Sequence, residues 1–293
     1  MRNEIVRMMH RRWCAVLCLS LSAMLPAWAA ELAPPHETLR IDSKAMAETR
    51  RINVYLPPEY DRQSNITYPV LYMPDGGEQE DFPHVAAAVD RLTRSGEIKP
   101  MLVVGIENTQ RRRDMTGPTQ VENDRKIAPQ VGGSAAFRRF IATELLPVVH
   151  ARYRVNDEAA IIGESLAGLF IVETMFVQPD LFDTYIALDP SLWWNAEHWP
   201  KQVPERLPGL SSVQMRLYLA SGNAESTNAL QVGHMADALR AHAGPALHWQ
   251  YELRPELRHD TIYRGLEEPL LRALFASDAV STDVSRDSAG KSL

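Results

Sequence analysis

The segment Gly163-Glu164-Ser165-Leu166-Ala167-Gly168 places a serine between small residues. It follows the apolar run Ala159–Ile162 and precedes a helical stretch, Leu166–Val177. A strand, a sharp turn and a helix in that order make a nucleophile elbow. The serine then sits in strained backbone, so the positions two before and two after it must be small, as Gly163 and Ala167 are. The following helix aims its N-terminal dipole and the Leu166 N–H at the place where an oxyanion would form. The competing reading is an ordinary serine capping a helix after a strand. Ala167, where the stricter motif has glycine, makes the pattern less specific.

A serine hydroxyl needs a neighbouring base to attack a carbonyl. In this architecture the base is a histidine late in the chain, past the last strand, with a carboxylate between the two in sequence. Of nine histidines, His259 has that placement, just past Tyr251–Pro255. The acid is expected after the strand Arg216–Ala220, where Glu225 lies. Asp189, Asp237 and Asp260 fit that order less well. A second oxyanion donor is expected from Asp75-Gly76-Gly77, after the apolar run Pro69–Met73; Gly76 and Gly77 would let backbone approach a ligand, or simply form a tight turn.

The elements that must hold these groups alternate. Thr38–Ser43 and Thr49–Leu56 read as antiparallel edge strands. Buried strands are expected at Pro69–Met73, Met101–Ile106, Ala159–Ile162, Tyr185–Leu188, Arg216–Ala220 and His248–Leu253. Helices are expected at Phe82–Arg94, Ser134–Tyr153, Leu166–Val177, Asn228–Ala243 and Leu266–Phe275. The polar stretch 107–133 reads as one long loop. Such alternation specifies an α/β fold with a mostly parallel sheet covered by helices on both faces.

The 293-residue chain is 45% hydrophobic and 23% charged, ordinary for a globular protein. Arg2, Arg7, Arg11 and Arg12, an apolar run from Trp13 to Leu25 and small residues at Ala27 and Ala29 read as a secretory signal in 1–29. A periplasmic or secreted destination is therefore expected. The remainder divides into a catalytic domain, 30–275, and a small, polar tail, 276–293, expected to be disordered. Cys14 and Cys18 both lie in the leader, which leaves the domain without disulfide, thiol nucleophile or cysteine zinc site. Residues 1–29 carry four Arg and one Glu, so their removal takes the formal charge from −6 to −9. An acidic chain without a basic run argues against nucleic acid and anionic membrane as partners. A small-molecule ester is the expected partner, and the chemistry requires neither metal nor organic cofactor.

The segments LYMPDGG, MLVVGIENTQRRRDMT, IIGESLAGLF and LDPSLWWN, in this order, resemble the bacterial putative-esterase family, and most closely its siderophore (enterobactin-type) trilactone esterase-like branch. The resemblance spans roughly Thr38 to Phe275. It implies an α/β-hydrolase fold, Ser165 as nucleophile, His259 as base, an acid at or near Glu225, and an oxyanion loop at Asp75-Gly76-Gly77. It further implies that Arg112, Arg113, Trp193 and Trp194 line the cleft mouth, although the tryptophans could equally pack structurally and Arg113 could pair with a carboxylate. The expected function is an exported serine hydrolase of carboxylic esters. The alternatives are an acyltransferase with the same three residues and a non-catalytic binding protein on the same fold.

Overall fold

The computed structural model describes residues 32–58, 60, 65–127, 130–223 and 227–277. The leader and residues 278–293 of the tail lie outside them, as does Glu225. Ala276 and Ser277 are described, and they depart from the expected disorder. Ala276 bridges to Ile98, and Ser277 hydrogen-bonds the Glu97 and Gly96 carbonyls.

Among the described residues eight strands form one sheet in the order β1-β2-β4-β3-β5-β6-β7-β8. β1 (His36–Ser43) and β2 (Glu48–Tyr55) form the antiparallel edge, and β2 runs antiparallel to β4 (Leu102–Ile106). β3 (Tyr68–Pro74), β4, β5 (Val155–Glu164), β6 (Thr184–Leu188), β7 (Met215–Ser221) and β8 (Leu247–Leu253) are mutually parallel. Parallel strands end at one edge of a sheet, and the loops leaving that edge are where α/β folds collect ligands.

Both faces are covered, which explains why the inner strands read as continuous apolar runs rather than alternating ones. Along β3 the pleat sends Val70 and Tyr72 into one core layer and Leu71 and Met73 into the other. The first layer packs under α4 (Ser134–Phe140), α5 (Leu146–Arg152), α6 (Leu166–Val177), α7 (Trp194–Arg206) and α8 (Thr227–His242). The second packs under α1 (Phe82–Arg94) and α9 (Ile262–Phe275). α6 is apolar almost all round, and every residue from Leu166 to Phe176 is buried.

Two expectations need correction. The stretch 107–133 is not a featureless loop; it contains α2 (Arg111–Asp114) and α3 (Glu122–Ile127). The expected helix Ser134–Tyr153 is interrupted by a π turn, Ile141–Leu145, in which the Leu146 N–H reaches back to Ile141 O. Pro147 follows and has no N–H with which to continue the ladder.

Candidate active site

Three residues with positive φ mark the carboxyl edge of the sheet. Asp75 (φ 56°), Ser165 (φ 60°) and Asp189 (φ 41°) each stand immediately after a strand, β3, β5 and β6 respectively. None is glycine, so each costs of order 1–3 kcal/mol that surrounding contacts must offset. Strain collected at one edge is the mark of a built site.

Ser165 (ψ −119°) caps α6, and its backbone N–H is tied to Leu188 O at 3.1 Å. The turn is possible because Gly163 lacks a side chain: a Cβ there would stand 2.7 Å from the Ala167 Cβ. Gly168 is equally constrained, since its Cβ would meet Pro190 at 3.0 Å. The Ser165 hydroxyl lies 3.3 Å from the Ser191 hydroxyl, and the Ser191 N–H donates to Ser165 O at 3.0 Å. Leu166 is the first residue of α6, and its N–H donates to no group among the described residues.

His259 lies in the loop between β8 and α9. That loop is clasped to the end of β7: the Asn223 N–H donates to Leu257 O at 2.7 Å, and a Cβ on Gly222 would stand 2.7 Å from the same oxygen. The imidazole Nδ1 lies 2.6 Å from Asp189 Oδ2 and 3.5 Å from Glu164 Oε1. Asp189 is buried, and its Oδ1 accepts from the Gly222 N–H at 3.2 Å. The Asn228 amide, on α8, donates to Asp189 O and Oδ2 at 3.0 and 3.1 Å. This carboxylate is thus fixed from three sides. The short contact makes Nδ1–H the donor to Asp189 Oδ2 and leaves Nε2 as the basic nitrogen of the neutral ring. His259 titrates above an ordinary imidazole because the Asp189 hydrogen bond favours its charged form; partial burial opposes this, and Glu164 adds to it.

Glu164 is itself pushed up to about 8, chiefly by burial, which disfavours its charged form. Asp75 is gripped by Arg111 through two hydrogen bonds of 2.6 and 2.8 Å, and by the Asn108 amide at 2.5 Å. The Arg111 Nη2 also lies 3.5 Å from Glu164 O, so this guanidinium joins the loops after β3, β4 and β5.

The structure brings Ser165, Leu166 and His259 to one sheet edge, and the carboxylate it sets against the ring is Asp189. Asp189 had ranked low because it follows β6 rather than β7. Its signal was the acidic residue ending a buried strand, the same pattern that gives Asp75. Ser191, Asn228, Glu164 and Arg111 were missed; each makes its contact only through the turn or helix that carries it.

The other expected site residues are placed as follows. The Gly76 N–H donates to Ile106 O at 2.9 Å, and the Gly77 N–H to Glu80 Oε2 at 2.7 Å, so both expected oxyanion donors are engaged. Gly76 is there for close packing, as its Cβ would fall 2.2 Å from Ile106 N. Arg113 belongs to a partly buried ion cluster, pairing with Glu48 at 2.8 Å and Asp114 at 2.6 Å, where Arg50 also holds both carboxylates. Burial alone would raise the Glu48 carboxyl, yet Arg113, Thr109 and Arg50 hold it down at about 2. Arg112 is exposed and donates to Ile127 O. Trp194 is buried, and its indole N–H donates to Gly117 O at 3.0 Å, strapping the 107–133 stretch to α7; Trp193 packs half-buried against it.

No group of metal-ligating side chains is found among the described residues, and no helix there is long and apolar enough to cross a membrane.

Strand order, elbow and edge-clustered loops define an α/β-hydrolase fold. An IroE-like serine hydrolase from Shewanella oneidensis superposes with a TM-score of 0.74 at 28% identity, covering 82% of this chain and 80% of that one. The family described as "Putative esterase" matches residues 43–261, so the chain belongs to this esterase family and is a carboxylic ester hydrolase. Ferri-bacillibactin esterase BesA of Bacillus subtilis is 29% identical over 195 residues, 61% of this chain and 67% of the relative. Iron(III) salmochelin esterase of Escherichia coli is 25% identical over 172 residues, 56% of this chain but 36% of that longer protein.

Proposed function

We propose that the protein hydrolyses siderophore-type esters, trilactones foremost, through an acyl-enzyme on Ser165. The single observation that carries the acyl-enzyme mechanism is the joining of three strand ends: a strained serine after β5, a buried carboxylate after β6, and an imidazole after β8 locked to that carboxylate at 2.6 Å. In this reading the Ser165 hydroxyl leaves Ser191 and turns to His259 Nε2; hydrogen bonds of this kind often tighten only when substrate is bound. His259 takes the proton as the oxygen attacks the ester carbonyl. The Leu166 N–H and the α6 dipole stabilise the oxyanion. His259 returns the proton to the leaving alcohol, and water then releases the acyl group by the same route in reverse. Asp189 holds the ring and stabilises its charged form. Glu225 keeps the role of rival acid, to be separated from Asp189 by substitution.

The siderophore assignment draws on the names of the relatives and on the family resemblance of the four segments quoted above. Export draws on the leader, residues 1–29. The test is turnover of an enterobactin-type trilactone, followed by product chromatography, with wild type and Ser165→Ala. Release of the linear ester by wild type alone supports the reading. Good turnover of simple acyl esters with none of the trilactone rejects the substrate; turnover by Ser165→Ala rejects the mechanism.

A further inference from the structure

A cavity of about 370 Å³ opens between α4, α6 and α7, a volume ordinary for small-molecule sites. Its walls include Arg138, Glu173, Trp194, His198 and Trp199, but neither Ser165 nor His259. Glu173 stands eight residues along α6 from Ser165, a helical rise of roughly 12 Å. The cavity is therefore distinct from the acyl-transfer centre.

Its polar wall is a buried ion pair with bonding capacity left over. Glu173 and Arg138 are 5% and 6% exposed, and their contact is 3.0 Å. Glu173 Oε1 accepts from both Arg138 Nη1 and the Ser134 hydroxyl. Glu173 Oε2 accepts from no group among the described residues; it faces Gly117 on the cavity wall, where a Cβ would come within 2.7 Å. The remaining Arg138 N–H groups likewise have no acceptor among the described residues. Neither Glu173 Oε2 nor an Arg138 nitrogen is sealed away without a partner; both residues line the cavity, where a ligand can complete their hydrogen bonding. They offer it an acceptor and donors, and the pair has no net charge. That is the complement of a carboxamide, whose N–H would meet Glu173 and whose C=O would meet Arg138.

The apolar walls are aromatic. Trp199 stacks on Phe176 at 5.5 Å and 4°, with the His198 ring edge-on at 4.9 Å. The Trp194 indole is fixed by its bond to Gly117 O. Preordered aromatic surfaces favour a planar ligand. We propose that this cavity is a separate binding site for a small, neutral aromatic carboxamide. The proposal does not rest on ester hydrolysis.

The test is a fluorine NMR titration of the full chain with para-fluorobenzamide. Saturable binding in the millimolar range is expected, as befits a fragment of this size, and it should survive Ser165→Ala unchanged. Ala135→Phe and Val177→Trp place bulk in the cavity from exposed positions, so the fold is retained, and each should abolish binding. Glu173→Gln should weaken it roughly tenfold. The para-fluorobenzoate and para-fluorobenzylamine analogues should bind roughly tenfold more weakly, because a neutral pair cannot compensate a desolvated charge. Absence of saturable binding, binding that persists in both blocked variants, or equal affinity for a charged analogue would each overturn the proposal.

Discussion

Asp189 gives the imidazole its direction and its basicity, and the sharpest residue-scale prediction follows from it. Asp189→Asn should lower kcat by roughly 1,000- to 10,000-fold, because an amide can stabilise the wrong tautomer and cannot stabilise the imidazolium. Glu225→Gln should stay near wild type; the reverse ranking in steady-state assays would reassign the acid. The pH profile carries a second prediction. His259 must be neutral to act as base, and its titration is raised above the ordinary imidazole by Asp189. Activity should therefore rise with pH, with its acidic limb displaced upward from that of a free imidazole. Asp189→Asn should move the limb back down, and a kcat/KM profile in which it stays fixed would exclude Asp189 as the cause. The elbow was legible in sequence because steric demand fixes its small neighbours, and His259 stood out by its place in chain order after the last strand. The useful arginine was not: Arg111, Arg112 and Arg113 are consecutive, successive helical residues point about 100° apart, and only the fold shows that Arg111 meets Asp75 while Arg113 turns to Glu48.

At the scale of elements, α1 and α9 are joined by a buried bond between His84 and Glu267, with Asp81 on the other ring nitrogen at 3.2 Å. Burial alone would lower the His84 pKa, but hydrogen bonds and charge from Asp81 and Glu267 outweigh it and hold it at about 9. A histidine raised on folding stabilises the fold fully below its unfolded value, near 6.5, and that stability is lost as pH rises through about 9. Wild type should exceed His84→Gln by on the order of 2 kcal/mol at pH 6, with the gap closing above pH 9. Denaturant melts at the two pH values check this, and a gap independent of pH would refute it. The strands and helices themselves were legible from period and turn residues. The exceptions had local causes. The π turn before Pro147 depends on one missing N–H, and α7 begins through left-handed backbone at Asn195, Ala196 and Glu197, of which only the asparagine is a type that favours it.

For the whole molecule, the parallel sheet is what turns distant sequence positions into neighbours. Residues 75, 165, 189 and 259 lie on four separate loops, and the shared carboxyl edge of β3, β5, β6 and β8 makes them one site. β6 and β7 are adjacent and parallel, so a carboxylate at the end of either strand stands at the same edge, which is why chain order pointed to Glu225 although the structure sets Asp189 against the ring. The leader bears on the molecule as a whole as well. In a Gram-negative host the exported chain should begin at Ala30, which N-terminal sequencing of the periplasmic fraction reads directly; an uncut chain in the membrane fraction would contradict the export proposal.

If the sheet edge activates one serine, intact-mass analysis after brief treatment with a fluorophosphonate shows it most directly. One adduct per chain, mapped to Ser165, is expected, with labelling slowed at least roughly 100-fold by His259→Ala. An unlabelled Ser165, or labelling at the same rate without the imidazole, would contradict it.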